Sequence, residues 1–462
     1  LEGHPVISNL KLRAAIGMAG NNRIDDDMWR YQYSIQSSGG PGFHEVGYNG
    51  ENYYANSGGT TFPNTKIKWE TTITRNLAID FGLFGERLTI TPEVYWNTTK
   101  DLLYKSDIPL TTGYQKQMQN IGQVTNRGFE LTINGDILRN KDYVLSGNLA
   151  FGFNKTRIDK LNGTDDMLGA SSSRWASEGG VYDYYLKVGE QIGLLYGYVY
   201  DGIYGFEGFD RTTSANFTPT LDENGEYVVV NGDGVFGTAP GRPKFKDLSG
   251  PEGKPDGKID DYDRVVIGNT NPKFQGGFGL SGNWKNIDFT CNFNYIVGFD
   301  VYNGNAYMLS SAKDNKNNYY NILSDFDAEH RWTYTNEIGE RILANSTLPS
   351  YLEQYYIEQN KDATLWNPKD VTKRIAHSYF VEDGSFLRLQ DVTIGYTFPK
   401  NFTRKIGVDR LRVYFTGSNL WLLTKYKGYD PEVDIQSGLT PSMDYNRYPR
   451  NRSYLLGLNL SF

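Results

Sequence analysis

The stretch from Asn286 to Asp300, NIDFTCNFNYIVGFD, alternates. Ile287, Phe289, Cys291, Phe293, Tyr295, Val297 and Phe299 are apolar or aromatic, whereas Asp288, Thr290, Asn292, Asn294 and Asp300, on the other parity, are polar. Successive side chains of a strand point to opposite faces, so this is a strand with one oily and one wet face. In a soluble sheet the oily face meets a core. In an outer-membrane barrel it meets lipid, and the wet face lines a lumen.

The pattern recurs along the chain. Leu10, Leu12, Ala14, Ile16 and Met18 alternate near the start; Ile73, Leu77, Ile79, Phe81 and Leu83 follow, then Leu88, Ile90, Val94 and Trp96. Later runs are Phe129–Ile133, Tyr143–Phe153, Phe274–Trp284, Val392–Phe398, Leu411–Phe415 and Tyr454–Phe462, about ten long strands in all. LFGER (83–87), ILRNKD (137–142), NWKN (283–286) and the somewhat longer FPKNFTRKIGVD (398–409) are short connections. The others, near 20–67, 105–120, 155–270, 303–378 and 425–450, are long. Short turns at one end and long loops at the other characterise an outer-membrane barrel. The strands reach the ~9–11 residues that a tilted crossing needs. On this reading the Ile287–Phe299 face looks at lipid, the Asp288, Asn292 and Asn294 face looks into a polar lumen, and Trp69, Trp96, Tyr143, Trp284 and Tyr454 form interfacial girdles. Ten strands alone would close a barrel filled by its own side chains, so loops of this length point to part of a larger one. The opening LEGHPVISNLKLR runs straight into strand residues, so we expect the chain to start inside the architecture.

Composition closes other routes. No run of 18 apolar residues exists for a spanning helix. Charges give a net of -7 without a basic tract, which argues against nucleic acid. Cys291 is the single cysteine, so there is no disulfide framework, and on its strand face it reads as a small hydrophobe. Gly277, Gly279 and Gly282 spell GxGxxG, but inside a strand rather than before a helix, so no dinucleotide site is expected. His4, His44, His330 and His377 lack metal spacing and no nucleophile elbow is present, so no enzyme is expected. DLSGPEGKPDGKIDDYDR (247–264) resembles part of a calcium loop. Asp247, Asp256, Asp260 and Asp263 are its candidate Ca2+ ligands, although Lys254 falls where a ligand belongs. Trp29, Tyr31, Tyr53, Tyr54 and Trp175 are candidate ligand-stacking residues in the long loops, with Asp288, Asn292 and Asn294 on the wall.

Several stretches resemble the SusC/RagA family of TonB-dependent outer-membrane transporters: KWETTITRNLAIDFGLF (68–84), RLTITPEVYWNTTKDLLY (87–104), IGQVTNRGFELTINGDI (121–137), DGKIDDYDRVVIGNTNPKF (256–274), VEDGSFLRLQDVTIGYTFP (381–399) and LRVYFTGSNLWLLTKYKGYDPEV (411–433). NLKLRAAIGMAGNN (9–22), VGEQIGLLYGYVYDGIY (188–204) and the terminal YLLGLNLSF (454–462) complete an ordered match over nearly the whole chain. The resemblance implies an all-β fold, a transmembrane antiparallel β-barrel in which this chain supplies about ten strands of the family's 22 and long extracellular loops. Residues 1–462 would be the C-terminal part, with the plug domain and N-terminal strands outside the chain. It further implies nutrient uptake of glycans or oligopeptides in the bacterial outer membrane, with a SusD-like surface lipoprotein as lid and TonB acting through the missing part. A passive porin or adhesin-type barrel is the alternative. Tyr454, Leu456, Leu458, Leu460 and Phe462 are similar to the signal read by the barrel-assembly machinery.

Overall fold

The structure, a computed structural model, describes residues 6–21, 28–30, 33–35, 46–48, 51–53, 56–58, 61–112, 114, 116–120, 122–161, 167–170, 182–211, 217–311, 321–333, 350–371, 374–433, 438–445 and 448–462. Ten long strands form one antiparallel sheet in chain order. They are β1 (Ile7–Asn21), β2 (Glu70–Leu83), β3 (Leu88–Lys100), β4 (Gln123–Arg139), β5 (Tyr143–Lys160), β6 (Phe274–Trp284), β7 (Ile287–Val297), β8 (Phe386–Thr397), β9 (Arg410–Thr424) and β10 (Ser453–Ser461). Among the described residues no helix is long and apolar enough to cross a membrane. By its contacts the chain forms two compact units, Leu1–Gly135 with Leu149–Met167 and Lys187–Gln191, and Asp136–Asn148 with Leu168–Leu186 and Ile192–Phe462.

In the first unit, side-chain parity fixes the register. Leu10 faces Phe81, Leu12 faces Ile79 and Ala14 faces Leu77 across β1 and β2. Leu77 in turn faces Val94 on β3, and Val94 faces Phe129 on β4. A one-residue slip would throw this apolar row onto the polar face, which is why the register is specified. The β2–β3 turn is tight: Phe84, Gly85 and Glu86 have φ of 54°, 68° and 63°.

In the second unit, β6 and β7 are joined by a two-residue turn, with Trp284 paired to Ile287 and Lys285 at φ 52°. Phe289 faces Ile394, Ile394 faces Phe415 and Phe415 faces Leu456 across β7 to β10. Phe278 stacks on Phe293 with ring centroids 4.8 Å apart. Phe299 departs from the expectation. The strand ends at Val297, Gly298 takes φ 76°, and the chain leaves the sheet. Phe299 is then buried with Val301, Phe386, Tyr426 and Val433 instead of facing lipid.

The densest packing lies in the loops. The largest fully buried side chains, among them Trp332, Trp366, Tyr302, Tyr307 and Phe380, all fall outside the ten strands. A small sheet of Asp300–Asn303 with Val381–Asp383 and Met443–Asp444 ties three loops together. On the strands, by contrast, Leu12, Ile16, Met18, Trp284, Ile394, Leu423, Leu456 and Leu458 are exposed. Trp69, Trp96, Tyr143 and Tyr454 are exposed too, as girdle residues must be.

Candidate functional site

Each unit carries a row of charges on the polar face of its strands. In the first, Arg13 on β1 donates from Nε and Nη2 to the two oxygens of Asp80 on β2, at 2.9 and 3.1 Å. Thr91 on β3 donates to the same carboxylate at 3.2 Å. Glu93 accepts from Asn76 at 2.8 Å and lies 3.8 Å from Arg13. In the second unit Arg412 on β9 reaches over β8 to grip Asp288 on β7, with Nε 2.9 Å from Oδ1 and Nη2 on Oδ2. The strand it crosses must be bare there. A Cβ at Gly395 would come within 2.5 Å of Arg412 Nη2 and 2.6 Å of Asp288 Oδ1. Asn292 donates to Asp391 at 3.0 Å, and Thr393 bonds Thr416 at 2.8 Å. Guanidinium–carboxylate forks of this kind are strong and directional. Within each fork the charges cancel, and Glu93 and Asp391 add a carboxylate held by a neutral amide, Asn76 and Asn292.

The loops of the second unit add a buried polar clamp. Arg388, at the loop end of β8, puts Nη2 2.6 Å from Asp430 Oδ1 and Nε 3.4 Å from Glu432. Arg450 pairs with Glu432 at 2.8 Å. Burial pushes the Glu432 carboxyl up, against the pull of the Arg450 and Arg388 guanidiniums. Tyr426 donates to Asp444 at 2.5 Å, and Asn305 donates to the other Asp444 oxygen at 2.9 Å. Burial likewise raises the Asp444 carboxyl. His377 sits at the middle of an aromatic cluster of Tyr200, Tyr307, Trp366, Tyr379 and Phe380. Its burial is complete and pushes its pKa down to about 3.

The expected site residues fare differently. Asp288 and Asn292 lie on the polar face, but each is held by a wall neighbour, Arg412 and Asp391. The Asn294 Oδ1 is buried without a hydrogen-bond partner, so Asn294 is the wall candidate with spare capacity. Trp29 is exposed. Tyr31, Tyr54 and Trp175 lie outside the described residues, and Tyr53 is placed only as the end of a short strand, Glu51–Tyr53. Sequence reading missed Arg13, Asp80, Glu93, Arg388, Asp430 and Arg412. A lone charge amid a strand's polar parity was the available signal for the wall members.

The aspartates of the calcium-like segment carry hydrogen bonds within their own turn. Asp247 spends its oxygens on the amides of Asp256 and Gly257, at 3.3 and 2.6 Å. Asp256 accepts from Lys258 N and Asp260 from Tyr262 N, at 3.0 and 2.8 Å. Asp263, fully buried, accepts from Leu248 N and Ser249 N and closes a capping box with Asp260. The four aspartates fold the turn. Among the described residues no group of three or more His, Cys, Asp or Glu is placed to hold a metal ion.

An antiparallel sheet of ten long strands, apolar and exposed on one face and laced with hydrogen-bonded ion pairs on the other, is the wall of an outer-membrane β-barrel. Comparison with known proteins agrees. The family model described as TonB dependent receptor-like, beta-barrel matches residues 6–231. TonB-dependent receptor P3 of Formosa agariphila is 30% identical over 97% of this chain and 41% of its own length. TonB-dependent receptor SusC of Bacteroides thetaiotaomicron is 28% identical over 99% of this chain and 38% of its own. The solved structure of the RagAB peptide transporter superposes with a TM-score of 0.68 at 21% identity, covering 100% of this chain and 42% of that one. Residues 6–231 carry the TonB-dependent receptor β-barrel match, and the whole chain is similar to TonB-dependent receptors, as its SusC/RagA-like motifs imply. It spans about two fifths of the length of the curated relatives it matches. Its apolar strand face therefore meets the lipid of the outer membrane, and its polar face the lumen.

Proposed function

We propose that this chain forms the barrel wall and substrate-binding loops of an outer-membrane nutrient importer for oligosaccharides or oligopeptides. It works with a SusD-like surface lipoprotein as lid and draws energy through TonB. The observation that carries the reading is the lumenal wall of mutually neutralised charges, Arg13–Asp80 in one unit and Arg412–Asp288 in the other. Such a wall gives a large hydrated solute many hydrogen-bonding groups, with the guanidinium charges already matched by carboxylates. The naming of one structural relative as a peptide transporter supports the peptide branch. No bond is made or broken in this proposal. The wall and loops hold a solute that the lid delivers, and a plug and TonB contact outside this chain complete the importer.

The test is purification of the intact complex from native outer membrane, with identification of every co-purifying chain and an uptake assay with labelled oligosaccharide and oligopeptide mixtures. Co-purification of a lipoprotein, with uptake that stops when the proton gradient is collapsed, is the expected result. Uptake that continues without the gradient and without the lipoprotein would mean a passive porin instead.

A further inference from the structure

Three short connections of the second unit lie side by side along one edge of the sheet. Lys285 N donates to Asp142 O at 2.9 Å, Thr397 N to Asn286 O at 2.8 Å, and Asp409 N to Ser461 O at 2.8 Å. The first two bonds join the turn at 137–142, the turn at 283–286 and, through Thr397, the start of the connection at 398–409 into one rim, and the third ties the end of that connection to β10.

The rim differs in charge from the rest of the molecule. It carries Arg139, Lys141, Lys285, Lys400, Arg404 and Lys405 against two carboxylates, Asp142 and Asp409, in a chain whose net charge is -7. Arg139, exposed, pairs with the half-buried Asp136 at 3.0 Å, and Lys400 with Asp409 at 3.7 Å, both exposed. Large apolar side chains stand among the cations. Leu138, Trp284, Phe402 and Ile406 are 51%, 58%, 48% and 53% exposed. Lys285 Nζ lies 5.7 Å from the centre of the Trp284 ring. The helical turns Lys400–Thr403 and Arg404–Ile406 bury Thr403 and, just beyond, Val408. They thereby turn Phe402 and Ile406 outward beside Arg404 and Lys405. Apolar anchors next to cations on flexible stems match the boundary of a bilayer, where the rings and stems sit among acyl chains and the charged ends meet phosphate.

Short turns of outer-membrane barrels lie on the periplasmic side. We propose that this rim binds the phosphate headgroups of anionic phospholipids in the periplasmic leaflet, with Lys285, Arg404 and Lys405 as the headgroup ligands and Trp284, Phe402 and Ile406 as the acyl-chain anchors. The charge complementarity is local.

The test uses the full-length receptor in its native complex, moved from detergent into nanodiscs of phosphatidylethanolamine with or without phosphatidylglycerol. Bound lipid is counted by native mass spectrometry. A cation near an anionic lipid surface contributes about fivefold in affinity. The triple variant Lys285→Gln, Arg404→Gln, Lys405→Gln should therefore weaken phosphatidylglycerol binding by roughly 100-fold at low salt. The charge-keeping variant Lys285→Arg, Arg404→Lys, Lys405→Arg should retain it. Unchanged binding in the neutral variant, or equal loss in both variants, overturns the proposal. So does loss of co-purified lipopolysaccharide in place of phospholipid. Should the neutral variant not assemble, the unaltered receptor decides. Its preference for phosphatidylglycerol must exist and must fall as salt shortens the screening length, and a preference that is absent or indifferent to salt refutes the rim.

Discussion

Replacing Arg388 by Met probes how the loops of the second unit are held. The side chain is 4% exposed, and its guanidinium meets Asp430, itself 7% exposed, at 2.6 Å. Asp430 Oδ1 also accepts from Glu432 N at 2.9 Å, and Glu432 keeps Arg450 as a second partner. Methionine fills much of the volume and leaves the Asp430 charge buried without its cation. Removing one member of a buried pair costs ~3–5 kcal/mol. Because Tyr426 and Val433 pack on Phe299 and Phe386 beside it, the cost falls on the docking of residues 425–433. At about 1.4 kcal/mol per decade, the open population of that segment should rise by roughly two to three and a half orders of magnitude. Hydrogen exchange of the amides at 425–433, in the full-length receptor in detergent, reads this directly. The double variant Arg388→Met, Asp430→Leu should regain most of the protection, since no charge is then stranded. Native protection in the single variant, or a double variant as open as the single, would refute the clamp.

Other consequences follow from the same contacts. Tyr356→Phe removes the acceptor of the buried Trp332 Nε1–H, bonded at 2.6 Å, and should lower the thermal stability of the loop core by ~1–3 kcal/mol; calorimetry showing no change would contradict it. His377, whose pKa of about 3 lies below the ordinary 6.5, binds its proton only on unfolding between those values. Loop stability should therefore be complete above about pH 6.5 and fall toward pH 3 by up to ~1.4 kcal/mol per unit. The raised carboxyls of Asp300, Glu432 and Asp444 oppose this slope at its acid end. In an acid series His377→Phe should flatten the loop's exchange profile, and an unflattened profile counts against the buried neutral imidazole. Gly395→Ala places a methyl where Arg412 and Asp288 meet, so the receptor should assemble but melt at a cost of ~1–3 kcal/mol, and an unaltered melt would show that the fork is dispensable.

The strands were legible because a membrane wall writes its rule into every second residue. Leu456, Leu458 and Leu460 fall on one face from parity alone, and LFGER and NWKN marked the turns. The partners of the wall charges were not. Arg412 and Asp288 are 124 residues apart, and Arg13 and Asp80 are 67 apart, separations across which alternation says nothing. Phe299 was misread because the parity continues past Gly298 while the backbone does not. Oxygens at short, regular spacing suit a cation, and at 247–263 they also accept from turn amides, a role that spacing alone does not reveal.

The division of labour inside the chain follows from these limits. A strand whose outer face dissolves in lipid contributes little conventional core, so the close packing of this molecule moves into its loops, where Trp332, Trp366 and Tyr302 are buried. That packing removes aromatics from the pool of ligand contacts. Tyr184 looks from sequence like loop aromatics such as Tyr182, yet it is fully buried with its hydroxyl on Pro441 O at 2.6 Å, whereas Tyr182 is 40% exposed. Counting loop aromatics therefore overstates a binding surface in such a chain. The informative residues are those that stay exposed, such as Trp29, and those with an unspent polar atom on the wall, such as Asn294. A solute that binds in the lumen should shift with Asn294→Leu far more than with Tyr184→Phe, whose loss should register in folding.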